Sequence, residues 1–125
     1  MKTQQTVKKF IIKGMINGIV LKSDMPINFL SLIDVKTGII KDPSSNLFQK
    51  SIKNVILVFP HAIGSSVGAY SIYSLKSNNK LPSAMLCKNA DLIVSSGCAL
   101  ANIPLATIYD NKYEELQTGD EIMIS

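Results

Sequence analysis

Residues 53–75 read KNVILVFPHAIGSSVGAYSIYSL, and the fold turns on how they divide. The first seven, KNVILVF, form the clearest strand of the chain, a continuous β-rich run of the kind buried on both faces of a sheet. Pro60 ends it, because proline brings no amide to a ladder. From Ser65 the period changes. Val67, Tyr70, Ser71, Tyr73, Ser74 and Leu75 fall at helical spacing, and Ser77, Asn78 and Asn79 close the run. Ser65 or Ser66 is the expected N-cap, since a serine oxygen can accept an otherwise unpaired first-turn amide.

Working outward, residues 10–23, FIIKGMINGIVLKS, read as two short strands or as one strand bent at Gly14 or Gly18. Residues 24–46 carry Pro, Lys-Thr-Gly and Asp-Pro-Ser-Ser features that mark loops and turns. On the other side, residues 82–89 predict a short strand. Asp91 opens a short helical turn that Gly97 should stop. Residues 103–109 predict another strand, residues 112–120 a turn-rich link, and residues 121–125 a final edge strand. The order predicts an α/β fold with a mixed or barrel-like sheet and helices packed on it, most simply one domain over residues 1–125. A GxGxxG signature and a GK[ST] phosphate loop are both absent from the sequence.

Composition narrows the function classes. With 46% hydrophobic and 18% charged residues, the chain has the makings of a packed core and not of a disordered segment. Its apolar runs are far shorter than the ~20 residues a bilayer span needs. The N-terminal stretch lacks the apolar region of a signal peptide, so a cytoplasmic protein is expected. The net charge of +4 comes from lysines, with no arginine and no tryptophan. Base readout and bidentate phosphate clamps favour arginine, so nucleic acid is a poor fit. An anionic small molecule suits the same balance. Cys87 and Cys98 are too few and too far apart for a zinc or iron–sulfur site of this chain's own, and read as two core thiols.

The segment Gly64-Ser65-Ser66 gathers donors at a helix mouth, where first-turn amides are free and the dipole adds roughly half a positive charge. Gly64 and Gly68 let backbone approach a ligand, and a phosphate or carboxylate suits the spot. A serine hydroxyl there can cap the helix. It can also exchange a proton with a ligand while amides stabilise the oxygen anion. A GxSxG elbow and a histidine–aspartate pair beside Ser65 are not visible. His61, the one histidine, reads as a loop residue, with a ligand contact or a phosphoryl acceptor as the sharper alternative. Asp34 and Asp120 read as turn residues, and Tyr70 and Tyr73 as helix-face packing.

Four segments then carry a family resemblance: PINFLSLIDVKTGIIKD (26–42), VILVFPHAIGSSVGAYSIYSLK (55–76), LPSAMLCKNADLIVSSGCALANIPL (81–105) and LQTGDEIMI (116–124). In order and content the chain resembles the swivel-domain subunit of the aconitase-X family, and the second segment is the most specific. The resemblance implies a swivelling β/β/α fold like the mobile domain of aconitases. It implies a separate large subunit that carries a 4Fe–4S cluster and most of the substrate site. The implied reaction is dehydration of (R)-5-phosphomevalonate to trans-anhydromevalonate 5-phosphate, with Ser65 at the family's proton acceptor and Gly64 and Ser66 in the anion-binding loop. The chain departs from the family at Ala62 and Ile63, where a glycine and a basic residue are usual, and at Ser31 and Leu32, where a glycine pair is usual. Those departures keep two alternatives in view: a dehydratase subunit for another substrate such as a hydroxyproline, and a non-catalytic partner subunit.

Overall fold

Residues 56–59 place one side chain after another on opposite faces of a sheet, and both faces are filled. Ile56 and Val58 point into one core and Leu57 and Phe59 into the other, all four fully buried. The computed structural model describes residues 7–124. The six leading residues, part of the stretch read for a signal peptide, and Ser125 lie outside the described residues.

In chain order the elements are β1 (Val7–Ile12), β2 (Ile16–Lys22), β3 (Ile33–Asp34), β4 (Ile39–Ile40), β5 (Ile56–Phe59), α1 (Gly68–Ser77), β6 (Ala84–Cys87), α2 (Leu92–Ala101), β7 (Leu105–Ile108), α3 (Asp110–Glu115) and β8 (Glu121–Ile124). Six strands form one sheet in the order β1-β7-β6-β5-β2-β8, and β3 and β4 form a separate two-stranded ribbon. The four central strands run parallel, while β1 pairs with β7 and β8 with β2 antiparallel. The sheet is mixed, curls into a half-barrel and carries three helices. The final strand is an edge strand, as its sequence indicates.

The two-face pattern repeats in β6, where Met85 and Cys87 join the core under α1 and α2, and Ala84 and Leu86 join the one closed by Tyr113 and Leu116. Burial of such side chains, at about 25 cal/mol per Å² of apolar surface, is the main term holding the layers together. In the first core, Phe29 meets Phe59 edge-on with ring centres 5.7 Å apart.

One open expectation is resolved and two need correction. Residues 10–23 do form two strands, but the break is centred on Gly14, where an added Cβ would lie 2.6 Å from Pro104 Cγ; Gly18 stays inside β2, opposite Ile122. Gly97 does not stop α2, which continues to Ala101 and ends at Asn102 in the left-handed conformation (φ 59°). Gly97 is instead the point where the two helices touch: an added Cβ would lie 2.6 Å from Ile72 Cδ1 and 3.2 Å from the Ala69 carbonyl oxygen. The link at 112–120 is in part helical, because α3 swings Tyr113 onto the sheet, and its hydroxyl donates to the Ser23 carbonyl at 2.6 Å.

Candidate active site in the loop before α1

Beyond Phe59 the chain leaves the carboxyl edge of the parallel strands, the edge where open α/β sheets offer their ligand crevice. The Pro60 carbonyl accepts the amides of Lys88 and Asn89 at 3.0 and 3.2 Å, which ties the exit of β5 to that of β6. The segment around Ile27 then lies alongside. The Ile27 amide donates to the His61 carbonyl at 3.1 Å, and the Ile63 amide to the Ile27 carbonyl at 3.0 Å. Ala62 is buried in this bridge, while His61 and Ile63 face water.

Gly64 is where the chain must turn. Its φ of +98° belongs to glycine, and an added Cβ would lie 2.5 Å from the Asn28 amide nitrogen. Asn28 is itself held, its side-chain oxygen accepting the amides of Leu30 and Ser31 at 3.1 and 3.3 Å. The sequence singled out Gly64 but gave no sign of Asn28, which is brought there by the 27–63 bridge.

Ser65 and Ser66 follow, both exposed. Neither is the N-cap. That position is Val67, in helical conformation and without a side-chain cap bond. The Ser65 hydroxyl oxygen does accept the Val67 amide at 3.1 Å, so the capping interaction is made one residue ahead of the helix. The carbonyls of Ser65 and Ser66 accept the amides of Gly68 and Ala69 at 2.9 and 3.2 Å, a tight first turn. The amides of Gly64, Ser65 and Ser66 donate to no acceptor among the described residues. The result is an exposed hydroxyl whose oxygen already receives one amide, with three further free amides in sequence beside it and the N-terminus of α1 behind. Such a loop stabilises negative charge, either on a bound anion or on the serine oxygen.

The loop is rigidly seated. An added Cβ on Gly68 would lie 3.2 Å from Ile93 Cγ2 and 3.6 Å from Phe29 Cβ, so the start of α1 presses on α2 and on the 28–30 turn together. Tyr70 and Tyr73 are not packing residues: they are 68% and 44% exposed. Asp34 and Asp120 accept backbone amides of Lys36 and Gln117 at 2.9 Å each, and are turn residues as read.

The two thiols are buried and free. Burial pushes Cys87 up to about 12, with Asp91 acting in the same direction, and burial pushes Cys98 up to about 12 with Cys87 adding to it. Cys98 donates weakly to the Met85 sulfur at 3.7 Å. Iron–sulfur ligation needs accessible thiolates, and these thiols are neither. Among the described residues no cluster of His, Cys, Asp and Glu could hold a metal ion, so the side chains present do not fit a cluster site. No helix among them is long and apolar enough to cross a membrane.

The ammonium groups of Lys22 and Lys88 sit 4.4 and 5.0 Å from the centre of the Tyr113 ring. Burial raises the phenol of Tyr113, with Asp24 and Glu114 adding to the effect. Lys88 also lines a cavity of about 480 Å³ with Lys8, Asn89, Tyr109, Asp110 and Asn111.

The half-barrel sheet with helices packed on it, and with a β-loop-α junction leaving its carboxyl edge, is the architecture of a swivelling domain. The comparisons agree. Residues 5–125 match the family model described as the aconitase X swivel domain, and the chain belongs to that family. It is similar to the phosphomevalonate dehydratase small subunit of Methanosarcina mazei, 40% identical over 116 residues, 92% of this chain and 81% of the relative. The small subunit of that name from Pyrococcus abyssi is 40% identical over 117 residues, covering 94% of this chain and 88% of the relative. The crystal structure of Thermococcus kodakaraensis aconitase X in its holo-form superposes with a TM-score of 0.86 at 39% identity, covering 92% of this chain and 89% of that one.

Proposed function

We propose that this chain is the small subunit of a hydro-lyase that dehydrates (R)-5-phosphomevalonate to trans-anhydromevalonate 5-phosphate, in an archaeal-type mevalonate route, with Ser65 as the proton acceptor. The observation that carries the reading is identity of about 40% over more than nine-tenths of the chain to archaeal phosphomevalonate dehydratase small subunits. The names of those relatives imply a larger partner subunit, and the aconitase relationship points to an iron–sulfur enzyme. We infer that the 4Fe–4S cluster belongs to that partner. The neutral, buried thiols of this chain support that division.

Elimination of water requires a base for the proton on the carbon beside the one bearing the hydroxyl. The bonding pair of that C–H becomes the double bond as the hydroxyl leaves. Ser65, as its alkoxide, takes the proton and becomes neutral serine. A free serine hydroxyl is far too weak an acid to ionise in water, and the loop addresses that cost. The Val67 amide bonds to the Ser65 oxygen, and the free amides of Gly64 and Ser66 supply donors for the substrate's anionic group. Preorganised amides of this kind stabilise developing negative charge without reorganising at the moment of reaction.

The test is turnover of (R)-5-phosphomevalonate by the anaerobically assembled complex, wild type beside Ser65→Ala. General-base loss typically costs 10²–10⁴ in rate, so a fall of about a thousandfold is expected. Unchanged turnover by a cluster-loaded Ser65→Ala complex would remove Ser65 from the mechanism. Absence of turnover by the wild-type complex would remove the substrate assignment.

A further inference from the structure

Strand parity places two lysines on the side of the sheet away from α1 and α2. Val20 and Leu86 belong to the core closed by Tyr113 and Leu116, so Lys22 and Lys88, two residues further on, leave their strands on that same side. Lys22 is only 8% exposed. A lysine is almost never buried to that degree without a counter-charge. Yet among the described residues no carboxylate comes within ion-pair distance of it. Its ammonium lies over the Tyr113 ring at 4.4 Å, and the ammonium of Lys88 meets the same ring at 5.0 Å. A ring face offsets part of the cost of a desolvated cation. It does not remove the repulsion between two.

Beside this pair lies the cavity of about 480 Å³, at the carboxyl ends of β6 and β7. Lys8 enters its wall from β1 and Lys88 from the turn after β6. Asn89 and Asn111 line it too, and their side-chain amides donate to no acceptor among the described residues. Asp110 is the carboxylate of the lining, and Asp24 and Glu114 act on Tyr113 from nearby. None of these three comes within ion-pair distance of Lys8, Lys22 or Lys88. The volume falls in the range of small-molecule pockets. No lining residue belongs to the 61–66 loop. The two regions meet at the Pro60 carbonyl, which accepts the amides of Lys88 and Asn89.

We propose that this cavity is an anion site separate from the Ser65 loop, and that it takes the phosphate group of a small phosphorylated molecule. The site needs neither Ser65 nor a partner subunit, so it stands or falls apart from the dehydratase reading. A tetrahedral dianion matches the donor set: Lys8 and Lys88 carry the charge, and the carboxamides of Asn89 and Asn111 each have N–H groups to donate to an oxygen. Lys22 is not in the wall, but its charge lies one ring away and is screened far less than a surface charge. The bound phosphate supplies the counter-charge that Lys22 and Lys88 lack within the chain. The half-exposed Tyr109 ring offers an apolar wall to the rest of the molecule.

The test titrates the isotope-labelled full chain with inorganic phosphate and with phenyl phosphate at constant ionic strength, and follows each amide by nuclear magnetic resonance. The Lys88 signal and the side-chain amides of Asn89 and Asn111 should shift together and saturate, with a midpoint on the order of 1 mM for inorganic phosphate. Phenyl phosphate should bind about fivefold more tightly, through its apolar body. Lys88→Met and Lys8→Met should each weaken binding about tenfold, as loss of a charge-assisted hydrogen bond does. Lys36→Met, exposed between β3 and β4, removes the same charge elsewhere and should change nothing. Lys8 is exposed, so its variant keeps the native spectrum and carries the test if Lys88→Met does not fold. A folded Lys8→Met or Lys88→Met chain that binds like wild type overturns the site. Shifts still linear at ~50 mM phosphate overturn it too, as general attraction to lysines. Shifts confined to the amides of Gly64, Ser65 and Ser66 put the anion at the other loop and have the same result. Equal affinity for the two probes overturns the larger ligand and leaves free phosphate as the occupant.

Discussion

Two β–α junctions leave the same edge of the sheet and end differently. After β6 the chain enters α2 through Asp91, whose carboxylate accepts the Val94 amide at 3.0 Å and so closes the helix with a negative charge of the chain's own. After β5 it enters α1 through Gly64-Ser65-Ser66, with no carboxylate, no side-chain cap at Val67 and three amides unpaired. A helix N-terminus is favourable for an anion in either place. The fold fills one such place from within and leaves the other to be filled from outside. That difference is what the proposed role of the α1 mouth rests on, with α2 as scaffold.

The comparison can be broken by swapping consequences. Ser65→Ala should carry the largest effect, the thousandfold loss of turnover given above, while the isolated chain loses no more than about 1 kcal/mol, from the Val67 amide left without its acceptor. Gly97→Ala should do the reverse. Its new methyl must displace Ile72 and the α1 backbone near Ala69, and overpacking of this kind costs about 2 kcal/mol. The expected result is a lower Tm by several degrees, with turnover per folded complex kept. If Gly97→Ala instead lowers turnover at full stability, the seam between α1 and α2 is part of the site. Next in size, Asp91→Ala removes the internal cap and should cost about 1 kcal/mol in a denaturant titration, with the rate unchanged.

The last effect is zero at neutral pH and grows only in alkali. Cys87 and Cys98 are held near 12 in the fold against an ordinary 9.0, so the unfolded chain loses these protons first. Their contribution to stability is complete below about pH 9 and declines as pH climbs toward 12. The denaturation midpoint of the wild type should therefore fall more steeply from pH 9 upward than that of a Cys87→Ala, Cys98→Ala double variant. Equal slopes would place the thiols in a more polar setting than the buried one described.

The sequence pattern made the family legible before any coordinates, and the bridge between Ile27 and Ala62 shows why the surroundings of Gly64 were not. Asn28 reaches Gly64 only because a segment 35 residues upstream lies parallel to the loop, a pairing that leaves no periodic trace in sequence. The exposure of Tyr70 and Tyr73 was hidden for a related reason. Helical spacing says that residues share a face, and packing decides whether that face has a neighbour.

Sequence by itself determined what local physics controls: the strand at 56–59 from its unbroken apolar run, the stop at Pro60, the turns at Asp34 and Asp120, and the helix after the two serines. Tertiary structure decided the rest. It carried α2 past Gly97, because closeness to Ile72 outweighs the glycine's local helix-breaking tendency. It moved the N-cap from the expected Ser65 or Ser66 to Val67, whose amide the Ser65 hydroxyl accepts. It also set Lys22, at the end of β2, and Lys88, just past the end of β6, over one tyrosine ring, although β5 lies between those strands. Local rules choose conformations one segment at a time, whereas these contacts join residues that only the sheet order brings together.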